Sequence, residues 1–325
     1  MKLSAYPSAP KSLRRNAVTA LIIGIFVFLM AYFAGFTAEF LTDAFSAPET
    51  GSSSPELRDS LIPSLVLGLL VGGNILLLLS CKVKHQMMIV WAELLVLFLL
   101  FFYSFDLEIS FILEKLPFLL TRGVTTTLYV SLISIVVAFT LALIGSISKL
   151  SDNGIAMGIA SFYTSFFRGV PLLAQLFLIY LGLPQIGIIV DPVPAGIAAL
   201  SLCYGAYMTE IFRAGMQSIE KGQWEAAAAL GLQKALAFRK VVLPQAFKII
   251  IPPTGNSFIA MLKDSSLVSV VGVWDLMYVA RAQGRADFRI LEMLITAALI
   301  YWILSIMLEL VQSRLERHFS KAVAH

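Results

Sequence analysis

The chain reads Glu225-Ala226-Ala227-Ala228-Ala229-Leu230-Gly231 and then, after nine residues, Val241-Val242-Leu243-Pro244. Alanine has the highest intrinsic helix propensity, so the first stretch predicts a short helix over 225–230. Gly231 follows it directly, and glycine readily adopts the left-handed conformation that ends a helix. Pro244 marks the start of the next helix, because a missing N–H costs little in the first turn.

By its residues alone, this segment has two interpretations. An alanine-rich loop between helices is most often an ordinary amphipathic connector. Its small side chains, however, would let the surface of another protein approach closely. The carboxylate of Glu225, at the predicted helix start, could cap that helix or meet a basic partner. Both interpretations stay open on this evidence.

The chain around this segment is strongly apolar. Of its 325 residues, 58% are hydrophobic and 14% are charged, and the mean hydropathy is +0.86. Crossing about 30 Å of hydrocarbon takes roughly 20 apolar residues in a helix. Eight stretches approach or exceed this length: about 17–36, 61–80, 87–104, 122–146, 155–183, 194–213, 246–272 and 290–312. The sequence therefore predicts an all-α, polytopic integral membrane protein with about eight transmembrane helices.

The charge distribution indicates membrane topology rather than nucleic acid binding. The net charge is +4, and the basic residues concentrate in alternate loops, above all in segment 213–248. Because cytoplasmic loops carry the excess of Lys and Arg, we expect both termini in the cytoplasm, with the protein in the cytoplasmic (inner) membrane. The two cysteines do not form a disulfide framework, and the three histidines lack ligand spacing, so no metal site is expected.

Residues 225–231 and 241–244 resemble the signature loop of ABC importer permeases. That loop has Glu-Ala-Ala, three residues, Gly, nine residues, an aliphatic residue, one residue and Leu-Pro. Segments 123–128, 167–175, 205–215 and 262–269 resemble the polar amino acid uptake branch, and the resemblance covers about 116–320. It implies a type I importer with a five-helix core. The loop residues that it implies in coupling to the ATPase are Glu225, Ala226, Ala227, Gly231, Leu243 and Pro244.

The resemblance also implies the function and the partners. The chain would be a permease subunit that translocates a polar or charged amino acid, together with two ATPase subunits, a second permease and an extracytoplasmic substrate-binding protein. The chain contains no G-x-x-x-x-G-K-[ST] phosphate loop, so ATP is expected on the partner, and neither a cofactor nor a catalytic residue is expected here. Residues 1–105 would form a three-helix N-terminal extension that departs from the five-span form, and 116–320 the permease domain, with a cytoplasmic coupling loop at 213–248.

Polar and ionisable residues inside the predicted spans are candidates for the substrate path, because they are costly at membrane depth. Gly169, Pro171 and Pro252-Pro253 lie near several of them and predict interrupted helices, a recurrent feature of transport sites. At 1.5 Å per residue, two of the cations would both lie roughly 20 Å from the cytoplasmic side. The candidates are Arg168, Gln175, Glu210, Asn256, Lys263, Asp264 and Ser265.

Helical geometry constrains two of these candidates. Lys263 and Asp264 are neighbours, so their side chains diverge by about 100° on a regular helix. We predict that Lys263 faces the substrate path and that Asp264 pairs with Arg168, either as a structural ion pair or as part of the site. Glu210 would lie near the cytoplasmic end of its span. Glu93 is interpreted as a near-interface or structural carboxylate.

Two other classes of protein compete with the ABC permease. An ion-coupled secondary amino acid transporter would also use intramembrane carboxylates and broken helices, but it predicts two-fold internal symmetry and no long docking loop. A membrane-embedded enzyme would need a nucleophile–base or metal constellation, and no histidine lies in any predicted span.

Overall fold

The structure, a computed structural model, describes residues 13–34, 55–103, 105 and 107–321. These residues are almost entirely helical, and no strand occurs among them, which confirms the all-α prediction. The chain divides into two compact units, Met1–Leu107 and Glu108–His325. Residues 35–54, between the first two predicted spans, and the two chain ends lie outside the described residues.

The first unit contains α1 (Leu13–Ala34), α2 (Pro55–Ser80) and α3 (Val83–Tyr103). Helices α1 and α2 cross closely, because a Cβ atom added to Gly24 would lie 2.8 Å from the carbonyl oxygen of Gly68. Helix α3 buries none of its residues. Glu93 lies at the midpoint of α3, and its interpretation as a near-interface or structural carboxylate stays a prediction.

The second unit is built around a long helix, α4 (Ile109–Leu150), which contains a π-helical turn at Leu119–Val124. It packs along α7 (Pro192–Gln217). Small residues allow this approach: Ala138 and Ala142 of α4 are fully buried. A Cβ atom on Gly145 would lie 2.6 Å from the hydroxyl oxygen of Thr209 in α7. Small side chains at such spacing are typical of helix contacts in membranes.

The remaining helices of this unit are partly interrupted. Helix α5 (Gly154–Gly169) is followed after a bend of 107° by α6 (Leu172–Ile186). Helix α8 (Lys221–Ala229) precedes α9 (Lys234–Val271), which is bent by 50° relative to α10 (Leu276–Ala286). Helix α11 spans Ile290–Lys321. The break near Pro171 confirms the first predicted interruption. Pro252 and Pro253 lie inside a continuous stretch of helix, so the interruption predicted there is wrong. That span breaks after Val271 instead.

Four of the described helices are long and apolar enough to cross a membrane, and six spans result if each bent pair counts as one. Two shorter apolar stretches, Thr19–Ala31 and Ser64–Ser80, lie in α1 and α2. A multi-pass helical membrane protein is therefore confirmed, whereas the number of eight spans stays a prediction.

Candidate substrate cavity and coupling segment

An open cavity of about 880 Å³ lies among α5, α6, α7 and α9. The break after α5 contributes Gly169, Val170 and Pro171 to its wall. Four of the seven predicted path residues line this cavity: Arg168, Glu210, Asn256 and Asp264. The structure thus brings residues together that are up to 96 positions apart in the sequence (168 to 264).

Glu210 is the centre of a charge cluster at one end of the cavity. Its carboxylate accepts hydrogen bonds from Lys149 Nζ at 2.5 Å and from Arg213 Nε at 2.8 Å, and Arg168 Nη1 lies 3.8 Å away. Lys149 also donates to Thr164 Oγ1 at 2.8 Å. These contacts tie α4, α5 and α7 together and leave an excess of positive charge around a single carboxylate.

Arg168 lies at this end because α5 stops there. Its guanidinium is 42% exposed and lies 5.5 Å from the centre of the Tyr207 ring, a cation–π arrangement. Lys149, which shares the Glu210 carboxylate, is next to the last residue of α4. Arg168 therefore lies beside residues near the ends of α4 and α7, and its predicted depth of roughly 20 Å in the membrane stays a prediction.

Asp264 lies in another part of the cavity. The hydroxyl of Tyr204 donates to its Oδ2 at 2.7 Å. Tyr204 and Glu210 are six residues apart in α7, so the partners of Asp264 and Arg168 are separated by about 9 Å along that helix. The predicted Arg168–Asp264 pair is wrong for this reason: each side chain has a different partner on α7.

The neighbour of Asp264 takes a different direction. Lys263 is exposed and is absent from the cavity wall. As predicted, the two adjacent helical residues do not both face the cavity. Asp264 is the one that faces it, so the prediction that Lys263 faces the substrate path is wrong.

Gln175 and Ser265 are buried, and each has a local hydrogen-bonding role. The amide nitrogen of Gln175 donates to the carbonyls of Phe167 and Val170 at 2.9 and 2.8 Å, which holds the bend between α5 and α6. The hydroxyl of Ser265 donates to the carbonyl of Leu262 at 2.7 Å. Asn256 lines the cavity and accepts a hydrogen bond from Gln312 of α11 at 2.9 Å.

Two tyrosines of the cavity were missed from the sequence. Tyr204 and Tyr207 both line it and contact Asp264 and Arg168 respectively. Aromatic residues are common in apolar spans, so their position in α7 carried no signal. Their hydroxyl groups lie within six residues of the predicted intramembrane carboxylate Glu210, and this proximity could have been used as a signal.

The coupling segment, residues 221–244 of the predicted loop 213–248, begins at α8, which starts four residues earlier than the predicted helix. Glu225 therefore lies in the middle of α8, and the capping role considered for its carboxylate is wrong. At the other end, Gly231 has φ +72°. Its N–H donates to the carbonyl of Ala228 at 2.9 Å, and the N–H of Leu232 donates to that of Ala227 at 3.1 Å. These two bonds form a Schellman motif and confirm the predicted left-handed stop.

The coupling segment presents a small, partly apolar surface. Ala227 packs inward and is 3% exposed, whereas Leu230 is 80% exposed. Glu225 and Ala226 are also exposed. Pro244 is in the first turn after a π-helical turn, Phe238–Val242, at the position predicted for it. The exposed Leu230 beside two small residues is a surface that a partner could cover.

Among the described residues, no three His, Cys, Asp or Glu side chains are grouped so that they could hold a metal ion. The fold and the cavity thus define a helical membrane protein with a charged cavity and an exposed connecting helix. A family model described as binding-protein-dependent transport system inner membrane component matches residues 141–321. The chain belongs to this family and is a permease subunit of an ABC importer.

Two relatives illustrate the similarity. The arginine transport system permease protein ArtQ of Bacillus subtilis is 41% identical over 213 residues, which cover 65% of this chain and 97% of the relative. The L-cystine transport system permease protein TcyB of Bacillus subtilis is 39% identical over 207 residues, which cover 63% of this chain and 88% of the relative.

Solved structures agree with this assignment. The chain is 36% identical to a chain in the crystal structure of an amino acid ABC transporter with histidines, with a TM-score of 0.62 over 66% of this chain and 99% of that one. A chain of the MetNI methionine ABC transporter, in an inward-facing conformation, shares the fold at 22% identity and a TM-score of 0.55, over 63% of this chain and 98% of that one.

Proposed function

We propose that this chain forms the substrate path of an ATP-driven importer of a polar or charged amino acid. One observation carries the proposal: the cavity presents a cation, Arg168, and a carboxylate, Asp264, at separate places on its wall. Every amino acid zwitterion has one carboxylate and one ammonium group, and each would find an opposite charge here. The cavity volume of about 880 Å³ lies within the range of roughly 300–1,000 Å³ that is typical of small-molecule sites.

The named relatives support an amino acid as the substrate. Arginine and L-cystine are the substrates in the names of two relatives, and a similar solved structure is that of an amino acid ABC transporter with histidines. The ion-coupled alternative has no such support.

Energy would come from partner subunits. The chain lacks a phosphate loop, so ATP would be bound and hydrolysed by two ATPase subunits that contact α8 and the start of α9. The residues proposed for this contact are Glu225, Ala226, Ala227, Gly231, Leu243 and Pro244. Each of these is exposed or half-buried except Ala227, which holds α8 against the protein.

The complete importer would contain a second permease, identical or related, and an extracytoplasmic substrate-binding protein. The chain would lie in the cytoplasmic membrane with both termini in the cytoplasm. Residues 1–105 would form an extension of unassigned role, and 116–320 the permease domain.

The test of the cavity is a matched pair of substitutions at adjacent positions. Asp264→Asn removes the charge that faces the cavity, whereas Lys263→Met removes a charge that does not. We expect ATP-driven uptake to fall about tenfold or more in Asp264→Asn, because a charge-assisted contact to substrate is worth about 1.5–3 kcal/mol. Lys263→Met should transport at nearly the normal rate.

Uptake would be measured in proteoliposomes at equal amounts of folded protein. Asparagine has nearly the same size and shape as aspartate, so Asp264→Asn does not alter packing. A loss of folded protein would therefore indicate that the Asp264 carboxylate has a structural role instead. Normal uptake by Asp264→Asn, or a larger loss in Lys263→Met, would contradict the proposed path.

A further inference from the structure

A second cavity, of about 720 Å³, lies between the coupling segment and the ends of two spans. Helix α8 and the first residues of α9 form one side, and the last turns of α4 and α7 form another. The residues that the argument uses are Leu150, Met216, Lys221, Trp224, Lys234 and Phe238. None of them belongs to the substrate cavity described above.

Two ammonium groups give this cavity its charge. Lys221 is the first residue of α8 and Lys234 the first residue of α9, and both side chains are exposed. Within the described part of the chain, neither has a salt bridge or a hydrogen bond to another side chain. Asp152 also lines the cavity, which leaves one positive charge in excess. An anionic group in the cavity would therefore gain a favourable interaction.

The remainder of the wall is apolar. Leu150 and Met216 belong to the ends of α4 and α7, two helices that are long and apolar enough to cross a membrane. The rings of Trp224 and Phe238 stack with their centres 6.5 Å apart and their planes at 24°. Since both spans end here, the cavity lies at the level of the membrane surface, where tryptophan and lysine side chains are favoured.

We propose that this cavity binds the headgroup of an anionic phospholipid, with the phosphate at Lys221 and Lys234 and the glycerol region against the apolar wall. Basic pockets between helices at the cytoplasmic membrane surface bind anionic headgroups in this way. A lipid held there contacts α8 and the ends of α4 and α7 together. It therefore steadies the segment that meets the ATPase, and this last consequence rests on the proposed function.

Two other occupants compete for the same charges. Free phosphate shares the chemistry of the headgroup but lacks the apolar part that Trp224 and Phe238 would contact. An ATPase subunit docked on α8 could cover the cavity instead. The experiment separates these occupants from the lipid.

The test uses quenching of Trp224 fluorescence by brominated phospholipids. The full chain, with Trp91, Trp274 and Trp302 changed to Phe, is purified in mixed micelles that contain brominated phosphatidylglycerol or brominated phosphatidylcholine. We expect half-maximal quenching at a lower mole fraction of the anionic lipid. Changing Lys221 and Lys234 to Gln should reduce this preference by about fivefold for each lysine, as expected for one charge near the surface.

The controls locate the effect in the cavity. Lys240→Gln removes an exposed charge of the same segment outside the cavity wall, and the preference should persist. If the variant that retains only Trp224 does not fold, the difference in quenching between the original chain and Trp224→Phe gives the quenching of Trp224.

Four results would overturn the proposal. These are equal quenching by the two lipids, displacement of the lipid by millimolar inorganic phosphate, no effect of the lysine substitutions, and loss of quenching when ATPase subunits are added. None of the four depends on transport, so the proposed function could stand if the lipid site fails. Conversely, lipid selectivity in a chain that does not transport would leave this site intact.

Discussion

Gly231 offers the sharpest test of the coupling segment, because its role is conformational and not steric. Its φ of +72° lies in the left-handed region, and a Cβ atom added to it would meet nothing within 4 Å. Gly231→Ala therefore introduces no clash. The left-handed conformation itself costs a non-glycine residue about 1–2 kcal/mol.

This cost falls on any state that needs the Schellman turn. If the free Gly231→Ala segment relaxes out of the turn and must form it again to bind the ATPase, the strain of about 1–2 kcal/mol weakens docking by about 5–30-fold. Titrating ATPase subunits against reconstituted permease measures it, with substrate-stimulated ATP hydrolysis and uptake as the readouts. The concentration of ATPase for half-maximal coupling should rise by that factor.

Two further variants control for a general effect of substitution. Gly222 is in the first turn of α8, has open space around it and does not have a positive φ, so Gly222→Ala should maintain coupling or improve it slightly by favouring the helix. Gly231→Asn should retain most of the coupling, because asparagine tolerates the left-handed conformation. Equal coupling in Gly231→Ala and the original chain, or equal losses in Gly222→Ala and Gly231→Ala, would refute this reasoning.

Two other predictions concern stability and topology. Glu210→Gln leaves Lys149, Arg168 and Arg213 without their shared carboxylate. We expect the free energy of unfolding to fall by up to about 3 kcal/mol, the lower end of the range for broken buried pairs, because the cluster is partly exposed. Thermal unfolding in detergent measures this loss, and an unchanged midpoint would contradict the role of the cluster. A periplasm-active reporter should be active when fused after Ser53 and inactive after His325, and the opposite pattern would overturn the predicted orientation.

Local signals in the sequence predicted the coupling segment well. Gly231 could be assigned a left-handed stop because few other residues adopt that conformation, and Pro244 could be placed in a first turn because it lacks an N–H. Both depend on the residue itself and its immediate neighbours. The start of α8 depends instead on four residues before Glu225 that have no strong helix signal, so the predicted boundary was late.

The geometry of the substrate cavity could be predicted only in part. Intramembrane charge alone selected Arg168, Glu210 and Asp264, and all three line one cavity. Their partners could not be inferred, since a single sequence does not show how α5 and α9 pack against α7. The direction of Asp264 depends on the turn of α9 against Tyr204, which a single sequence does not reveal.

We propose that ATP hydrolysis on partner subunits drives an amino acid through this chain. The most direct measurement is uptake of radiolabelled amino acids into proteoliposomes that contain the permease, its ATPase and its substrate-binding protein. We expect uptake that requires internal ATP and the binding protein, and that persists when ionophores abolish all ion gradients. Uptake driven by an ion gradient without ATP would contradict it.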